Sequence, residues 1–337
     1  MQANLKDKSL INNKSKHKKR KQNLNAPIVI LTIMILVSCA LFLTLGINPG
    51  SMEYALSKRV PKLIAIALTG ACIGFSTIVF QTITDNRILT PSVMGIDSLY
   101  VSIQTVLIFA FGSTSIFVSD RRLNFLICIV FMVIGSLGLY KLVFKKENSN
   151  IMFLLLVGMI CGTFFKSLSS FMQMVIDPNE YLVLQNKLFA SFNNVNVEIL
   201  VLSVIILLLI IPFVCDDIKY FDVMSLGKDH AINLGVDYDK LMKKSLIIIS
   251  ILISVSTALV GPVTFLGILV ANIAREMIKT YKHSYIITVS ILVSIFTLVF
   301  GQLMIERILK LSTPVSVIIN MIGGVYFMYL LYKESRI

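Results

Sequence analysis

The sequence has no tryptophan, and only 15% of its residues are Asp, Glu, Lys or Arg. With 56% hydrophobic residues and a mean hydropathy of +0.85, it is far more apolar than a soluble protein. Its 337 residues suffice for one bundle of about ten spans at ~20 residues each. The composition therefore predicts an all-α, polytopic membrane protein.

Several kinds of chemistry are missing as well. The sequence contains no G-x-x-x-x-G-K-[ST] motif, so it does not bind ATP through a phosphate loop of its own. Its histidines are far apart, and its cysteines lie in or beside apolar segments without short pairings, which favours packed thiols over disulfides or a metal site. We expect no catalytic residue, no metal and no bound cofactor. The residues concerned are His17, His230, His283, Cys39, Cys72, Cys128, Cys161 and Cys215.

No acidic residue falls in the middle third of a predicted span. Ion-coupled carriers usually need such a carboxylate, because it binds the coupling proton or sodium ion within the membrane. The sequence also lacks the cluster of convergent polar groups that a membrane enzyme requires. What remains is a pore-forming subunit that takes its energy from a partner, with a secondary, ion-coupled transporter of a small polar solute as the alternative.

Positive charge is concentrated at the N-terminus. Within residues 1–25, eight Lys and Arg against Asp7 give +7 of the net +13. We interpret this segment as a basic cytoplasmic tail near anionic headgroups; nucleic-acid binding is disfavoured because the tail is short and adjoins a span. The rest, 26–337, is predicted to be the transmembrane permease domain. Lys and Arg in alternate loops place both termini in the cytoplasm.

Ten apolar segments are predicted, and they divide into a five-plus-five inverted repeat. Gly70, Gly74 and Gln81 in the first half have counterparts in Gly261, Gly267 and Asn272 in the second. The segments lie at about 27–45, 62–81, 90–111, 123–143, 151–175, 197–215, 243–260, 263–279, 285–304 and 314–332.

The stretch from Arg59 to Tyr100 predicts a tight helix, a polar break and a second helix. Gly70 and Gly74 share one helix face and allow a second helix to approach closely. Pro91 lacks an N–H and Gly95 adds backbone freedom, so the helix is expected to break there. The residues predicted to form the wall of a polar transport path are Gln81, Asn86, Pro91 and Gly95.

The predicted loop 216–242 carries glycine and charge. It predicts two short helices, separated by Gly227 and ended by Gly235. Ala231 and Leu234 would offer a small apolar face to a groove on a soluble partner. A surface loop with a fortuitous pattern is the alternative.

Four ordered motifs resemble the iron-siderophore and cobalamin permease family of binding-protein-dependent ABC importers. The resemblance covers nearly everything after the basic tail. Asn86-Arg87 departs from the family's usual pattern and resembles the branch that handles catecholate-type ferric siderophores. The motifs are Arg59-Val-Pro-Lys62 with Gly70, Gly74, Gln81 and Pro91; Ser225-Leu-Gly227 with Ala231 and Leu234-Gly235; Gly261-Pro262 with Phe265, Gly267 and Arg275; and Pro314 with Gly323-Gly324.

The resemblance implies the partners. A second permease copy or a sibling would complete a central path, and two cytoplasmic ATPase subunits would supply ATP hydrolysis. An extracytoplasmic (lipo)protein would deliver an iron chelate to the permease, which would take it across the cell membrane. Docking of that lipoprotein is assigned to Arg59, Lys62 and Arg307, with anchoring to lipid headgroups as the alternative. Coupling to the ATPase is assigned to Ser225, Leu226, Gly227, Ala231, Leu234 and Gly235.

Lys166 lies well inside the apolar run 151–175. Asp177, eleven residues further along the sequence, is ~16 Å away on a helix and out of reach. An intramembrane lysine usually faces a bundle interior or water. We predict that Lys166 lines the transport path and offers a positive charge to an anionic ferric chelate. The alternatives are snorkelling toward an interface and a misjudged span edge.

Overall fold

The structure, a computed structural model, describes residues 24–46, 52–144, 151–189, 191–193, 195–309 and 313–334. The described part of the chain contains helices and no strand. The α-helices are α1 Asn25–Thr44, α2 Met52–Ile83, α3 Asp97–Phe111, α4 Ile116–Ser119, α5 Arg121–Phe144, α6 Ile151–Val175, α7 Pro178–Leu188, α8 Val197–Cys215, α9 Ile218–Met224, α10 Lys228–Asn233, α11 Tyr238–Val260, α12 Leu266–Met277, α13 His283–Leu303 and α14 Val315–Glu334. Two π-helical turns, Ser92–Ile96 and Met304–Ile308, precede α3 and follow α13.

Among the described residues, eight helical segments are long and apolar enough to cross a membrane. They comprise α1, α2, α3 with its π-turn, α5, α8, α11, α13 with its π-turn, and α14. The helix α6 adds another of spanning length, with 25 residues and Lys166 as its one charged side chain. With the shorter α12, each of the ten predicted segments contains a helix, and the predicted all-α membrane fold is confirmed. The basic tail lies almost entirely outside the described residues.

The helices α2 and α13 pack closely against each other in the core. A Cβ at Gly74 would lie 2.9 Å from the carbonyl oxygen of Ser290, and one at Gly70 would lie 3.0 Å from the backbone nitrogen of Ile295. The Ser290 hydroxyl donates to the Gly74 carbonyl across this contact, at 3.0 Å. The predicted close approach of a second helix at these glycines is therefore confirmed. The helix itself begins at Met52 rather than near residue 62, with Pro61 inside it.

The predicted break after α2 is confirmed by the backbone. Asp85 has φ +46°, an extended stretch follows, and Pro91 precedes the π-turn. Gly95 has φ +93° inside that turn, a value that L side chains rarely adopt. It also packs on α6, because a Cβ there would lie 2.9 Å from the Cα of Gly162. This position requires glycine for two independent reasons.

Gly95→Ala is therefore expected to destabilise the fold by ~2–4 kcal/mol, since strain in the positive-φ region and overpacking each cost ~1–3 kcal/mol. Thermal unfolding of the detergent-purified protein measures this as a lower Tm. Gly138→Ala in α5 is the matched control, because a Cβ there meets nothing within 4 Å. The control should be neutral or stabilising by ~0.5–1 kcal/mol. Equal Tm values for the two variants would contradict the packing argument.

The eighth predicted segment differs from expectation. A continuous helix was predicted over 263–279, but α12 has only 12 residues, ~18 Å, and cannot cross a bilayer alone. Residues Gly261 to Phe265 run into it as non-helical backbone. Phe265 donates its N–H to Asn320 Oδ1 on α14, at 3.3 Å. The Thr264 hydroxyl donates to Asp97 Oδ2, at 2.6 Å. Side chains from α14 and α3 thus accept hydrogen bonds from the Phe265 N–H and the Thr264 hydroxyl at this break.

The bundle has two distinguishable ends. The lower end contains the end of α2, the short helices α9 and α10, and the beginning of α13. At the upper end, α2 begins and the π-turn Met304–Ile308 follows α13. The candidate functional residues fall at these two ends and on the face of α6.

Candidate functional site

The junction between α2 and α3 is held together from inside. Gln81 is 2% exposed, and its side-chain nitrogen donates to the Arg87 carbonyl. Asn86 Oδ1 accepts the N–H of Ile88 at 2.8 Å, which closes a local turn. Arg275 of α12 lies 3.4 Å from Gln81 Oε1. These bonds tie the polar turn to the end of α2 and bring α12 close to it.

The predicted path residues therefore shape the junction instead of lining open space. Gln81, Pro91 and Gly95 are all buried, and Asn86 is half-buried. The expectation that the buried three face a path is wrong for this conformation. The physical reason is that an irregular backbone inside a bundle leaves N–H and C=O groups unpaired, and nearby polar side chains satisfy them.

One face of α6 is polar and has no partner in the part of the chain that the structure describes. Thr163, Lys166, Ser167 and Ser170 occupy positions i, i+3, i+4 and i+7, and all four are exposed. Gly162 lies one helical turn before Lys166, at the edge of this stripe, and packs against Gly95. A lysine and three hydroxyls on one mid-helix stripe are poorly suited to lipid contact, so this face requires water or another protein surface.

At the upper end, Arg59 is turned inward. It is 8% exposed, and one guanidinium nitrogen donates to the carbonyls of Phe42, Leu43 and Leu45, at 2.8–3.0 Å. These carbonyls end α1, where no intrahelical donors remain. Arg59 thus caps α1 with its positive charge, a favourable arrangement at a helix C-terminus.

The other two predicted docking residues lie beside it. Lys62 pairs with Glu306 at 2.5 Å and reaches Asn193 Oδ1 at 3.0 Å. Arg307 is half-exposed, and its Nε has no hydrogen-bond partner among the described residues. The fold therefore brings Arg59, Lys62 and Arg307 together from α2 and the second π-turn, with Glu306 among them. We call these four residues the upper charge cluster.

At the lower end, α9 and α10 are the two predicted short helices. Gly227 between them has φ +96°, and Gly235 after α10 has φ +83°. A Cβ at either would meet nothing within 4 Å, so backbone conformation alone explains these glycines. Leu226, Ile232 and Leu234 are 57%, 48% and 63% exposed. We call these three side chains the apolar tip.

With the helical bundle, the broken α12 and the two short lower helices established, comparison with known proteins is decisive. Residues 24–333 match the FecCD transport family. The chain belongs to the FecCD transport family. The resemblance inferred from the four sequence motifs is thereby confirmed.

Two relatives among curated proteins align with most of the chain. The petrobactin import system permease protein YclO of Bacillus subtilis (strain 168) is 54% identical over 309 residues, 92% of this chain and 98% of the relative. The petrobactin import system permease protein FatC of Bacillus anthracis is 33% identical over 291 residues, 86% of this chain and 82% of the relative. A metal-chelate type ABC transporter, solved in an inward-facing conformation, matches the fold with a TM-score of 0.79. It is 22% identical and covers 92% of this chain and 100% of the other.

Membership of the FecCD family makes the chain a multi-pass transport permease and not an enzyme. Within the ranges that the structure describes, no group of three or more His, Cys, Asp or Glu could hold a metal ion.

One coupling assignment needs correction in this FecCD permease. Ala231 was expected to share an exposed apolar face with Leu234, but it is 0% exposed and packs inside the lower end. The exposed residues of the predicted set are Ser225, Leu226, Leu234 and Gly235. In so short a helix, sequence spacing alone could not tell the inner face from the outer one.

Sequence reasoning also passed over two buried polar residues. Asp97 is 8% exposed at the first turn of α3, and its Oδ1 has no hydrogen-bond partner among the described residues. His283 is 3% exposed at the start of α13, although its neighbours Lys282 and Ser284 are polar. The available signals differed: Asp97 is an acidic residue inside the predicted segment 90–111, two residues after Gly95, and His283 is a polar residue just before the predicted segment 285–304.

Proposed function

We propose that this chain is the membrane-spanning permease subunit of an ABC importer that takes up an iron–siderophore complex, of the petrobactin type. The observation that carries the proposal is the 54% identity to a petrobactin import permease along 98% of that relative's length. At this level of identity and coverage, the two chains share their whole architecture rather than one module.

The lower end is proposed to face the cytoplasm. Loops at that end carry the basic residues Lys219, Lys228, Lys240, Lys279 and Lys282, as the positive-inside rule requires for cytoplasmic loops. Both termini would then be cytoplasmic, with the basic tail 1–25 near anionic headgroups.

Two ATPase subunits are proposed to bind the lower ends of a permease pair, one subunit to each permease. The apolar tip supports this, because Leu226, Ile232 and Leu234 expose apolar surface on a short segment with basic neighbours. Such surface suits a groove on a soluble partner. ATP would be bound and hydrolysed by those subunits, since the permease has no phosphate loop.

The polar stripe of α6 is proposed to line the path between two permease copies. It faces away from its own bundle, so a path built from two copies would place Lys166 in water rather than in lipid. The chelate would then pass a positive charge, which suits an iron(III) complex with deprotonated oxygen donors.

The upper charge cluster is proposed to receive the binding protein. Arg59 is committed to capping α1, so the half-exposed Arg307 is the better contact. Arg307→Glu is expected to slow association of the chelate-loaded binding protein several-fold at low salt, with the difference shrinking as ionic strength rises. Surface-immobilised importer gives the rates. Arg122→Glu on α5, at the same end but outside the cluster, is the control. Equal rates for the two variants would contradict this docking site.

Uptake of radiolabelled iron tests the proposed function. A Bacillus subtilis strain without its own YclO-type permease should regain petrobactin-dependent uptake when it expresses this chain with the matching ATPase and binding protein. Uptake should stop when the ATPase carries an inactivating change, yet continue when a protonophore removes the proton gradient and ATP is maintained. The opposite pattern would favour the secondary carrier.

A further inference from the structure

A hydrogen-bond chain that passes through the buried ring of His283 joins α9 to the end of α2. Asp222 of α9 accepts twice at Oδ1, from the backbone N–H of His283 at 2.6 Å and from its ring at Nδ1, 2.9 Å away. On the other side of the ring, Nε2 lies 2.9 Å from the hydroxyl oxygen of Thr82. One imidazole therefore contacts polar groups from two other helices.

The protonation pattern is consistent with a fixed ring. Because Asp222 accepts from Nδ1–H, the neutral tautomer leaves Nε2 to accept from the Thr82 hydroxyl. That hydroxyl carries one proton and also lies 2.9 Å from the carbonyl of Ile78, one turn back in α2. It donates either to Nε2 or to that carbonyl, and in the second case a doubly protonated ring donates from Nε2 to the hydroxyl oxygen. The ring is almost inaccessible to solvent, so water does not readily reach Nε2, whereas the Asp222 side chain is 31% exposed and its carboxylate is open to water.

Each end of this hydrogen-bond chain lies beside a segment that is important for the proposed function. On one side, Phe221 and Met224 are each 2% exposed and anchor α9 inside the bundle, while the apolar tip follows directly after it. On the other side, Thr82 lies in the last turn of α2, next to the Gln81 side chain that holds the α2–α3 junction. The ring therefore lies between α9 and the end of α2, two helices that also contact each other directly.

We propose that His283 is a positioning residue that transmits movement of α9 to the end of α2, so that ATP-driven movement at the lower end reaches the transport path. The proposal rests on the proposed function. It requires both hydrogen bonds of the ring. The bond to Asp222 connects the ring to α9, and the bond to Thr82 connects it to the end of α2.

Two substitutions separate the two bonds. His283→Asn places an amide near the Nδ1 position and can keep the contact with Asp222, but it does not reach Thr82. His283→Gln places its amide near the Nε2 position and can keep the contact with Thr82, but not the one with Asp222. Tyr238→Phe is the matched control, because it deletes another hydrogen bond to the same end of α2, from the Tyr238 hydroxyl to the Ile83 carbonyl at 3.2 Å.

The experiment uses the complete importer in proteoliposomes, with binding protein and ferric petrobactin, and records transported chelate and hydrolysed ATP together. We expect both His283 variants to hydrolyse ATP within about twofold of the unmodified importer and to transport about tenfold less chelate per ATP, the scale of one buried hydrogen bond. Tyr238→Phe should keep the unmodified ratio.

Other results would overturn the proposal. A normal ratio in either His283 variant shows that one bond suffices, and a parallel loss of hydrolysis and transport with a lowered Tm shows a purely structural role. If these variants fail to fold, Asp222→Asn and Thr82→Val replace them, and the double variant should lose no more than the worse single one. Additive losses would count against a single chain. If the unmodified importer itself fails to transport with ATP, the proposed function fails instead.

Discussion

Uptake should fall at least tenfold when Leu226 and Leu234 are both changed to aspartate, with the protein still folded and inserted. Both side chains are more than half exposed within the chain, so the change removes little of its own core. In an apolar groove of a partner, however, two unpaired carboxylates would be desolvated at a cost of several kcal/mol. Chelate uptake and co-purification of the ATPase measure the effect.

Lys240→Asp serves as the control for this experiment, because it places a carboxylate at an exposed polar position near the same segment. It should retain most uptake and ATPase binding. Ala231→Trp should behave differently from both. Since Ala231 is buried, a large side chain would overpack the lower end and cost ~1–3 kcal/mol of stability. Normal uptake by the doubly substituted protein would rule out the apolar tip as the coupling contact.

Lys166→Met should slow uptake of an anionic ferric chelate about tenfold and leave a neutral chelate nearly unaffected. The reason is electrostatic: a unit charge a few ångströms from an anion in a partly dehydrated path contributes on the order of 1–4 kcal/mol. Lys166→Arg keeps the charge and should keep most of the uptake. Parallel uptake assays with the two chelates give the comparison directly. Both chelates are measured with the same expressed protein, so a change in expression level would affect their uptake equally.

Access to water provides a second, independent measurement on the same residue. In a background where the five native cysteines are replaced by serine, Lys166→Cys should react with a charged thiol reagent. Phe164→Cys, on the exposed apolar side of the same helix, should react far more slowly if that side faces lipid. Equal slowing of both chelates, or a residue-166 thiol that the reagent does not reach, would return Lys166 to an interfacial role.

Much of the helical order was predictable, because span length and apolar runs are local properties. The segment 197–215 was predicted at its observed bounds, and Gly227 and Gly235 were correctly placed at the ends of short helices. Side-chain direction was not predictable. Arg59 looked like a surface charge beside Pro61, yet the end of α1, a partner distant in sequence, holds it inward.

The same limit explains the missed residues. His283 lies among polar neighbours, and nothing local reveals that Asp222 and Thr82 will meet its two ring nitrogens. The 12-residue length of α12 was equally hidden, because residues 261–265 are apolar enough to extend a predicted span. Hydropathy records what a segment can be buried in, but not whether its backbone is helical.

The break before α12 has an electrostatic consequence for Asp97. A helix that begins within the bundle has unpaired N–H groups and a partial positive charge of about half a unit at its first turn. The Asp97 carboxyl group is held at that turn by Thr264. The partial charge at the start of α12 would offset part of the cost of burying this carboxyl group. Moving α12 away from α3 would leave the buried Asp97 carboxyl group without the Thr264 hydroxyl, so we expect this hydrogen bond to be kept when the permease changes conformation.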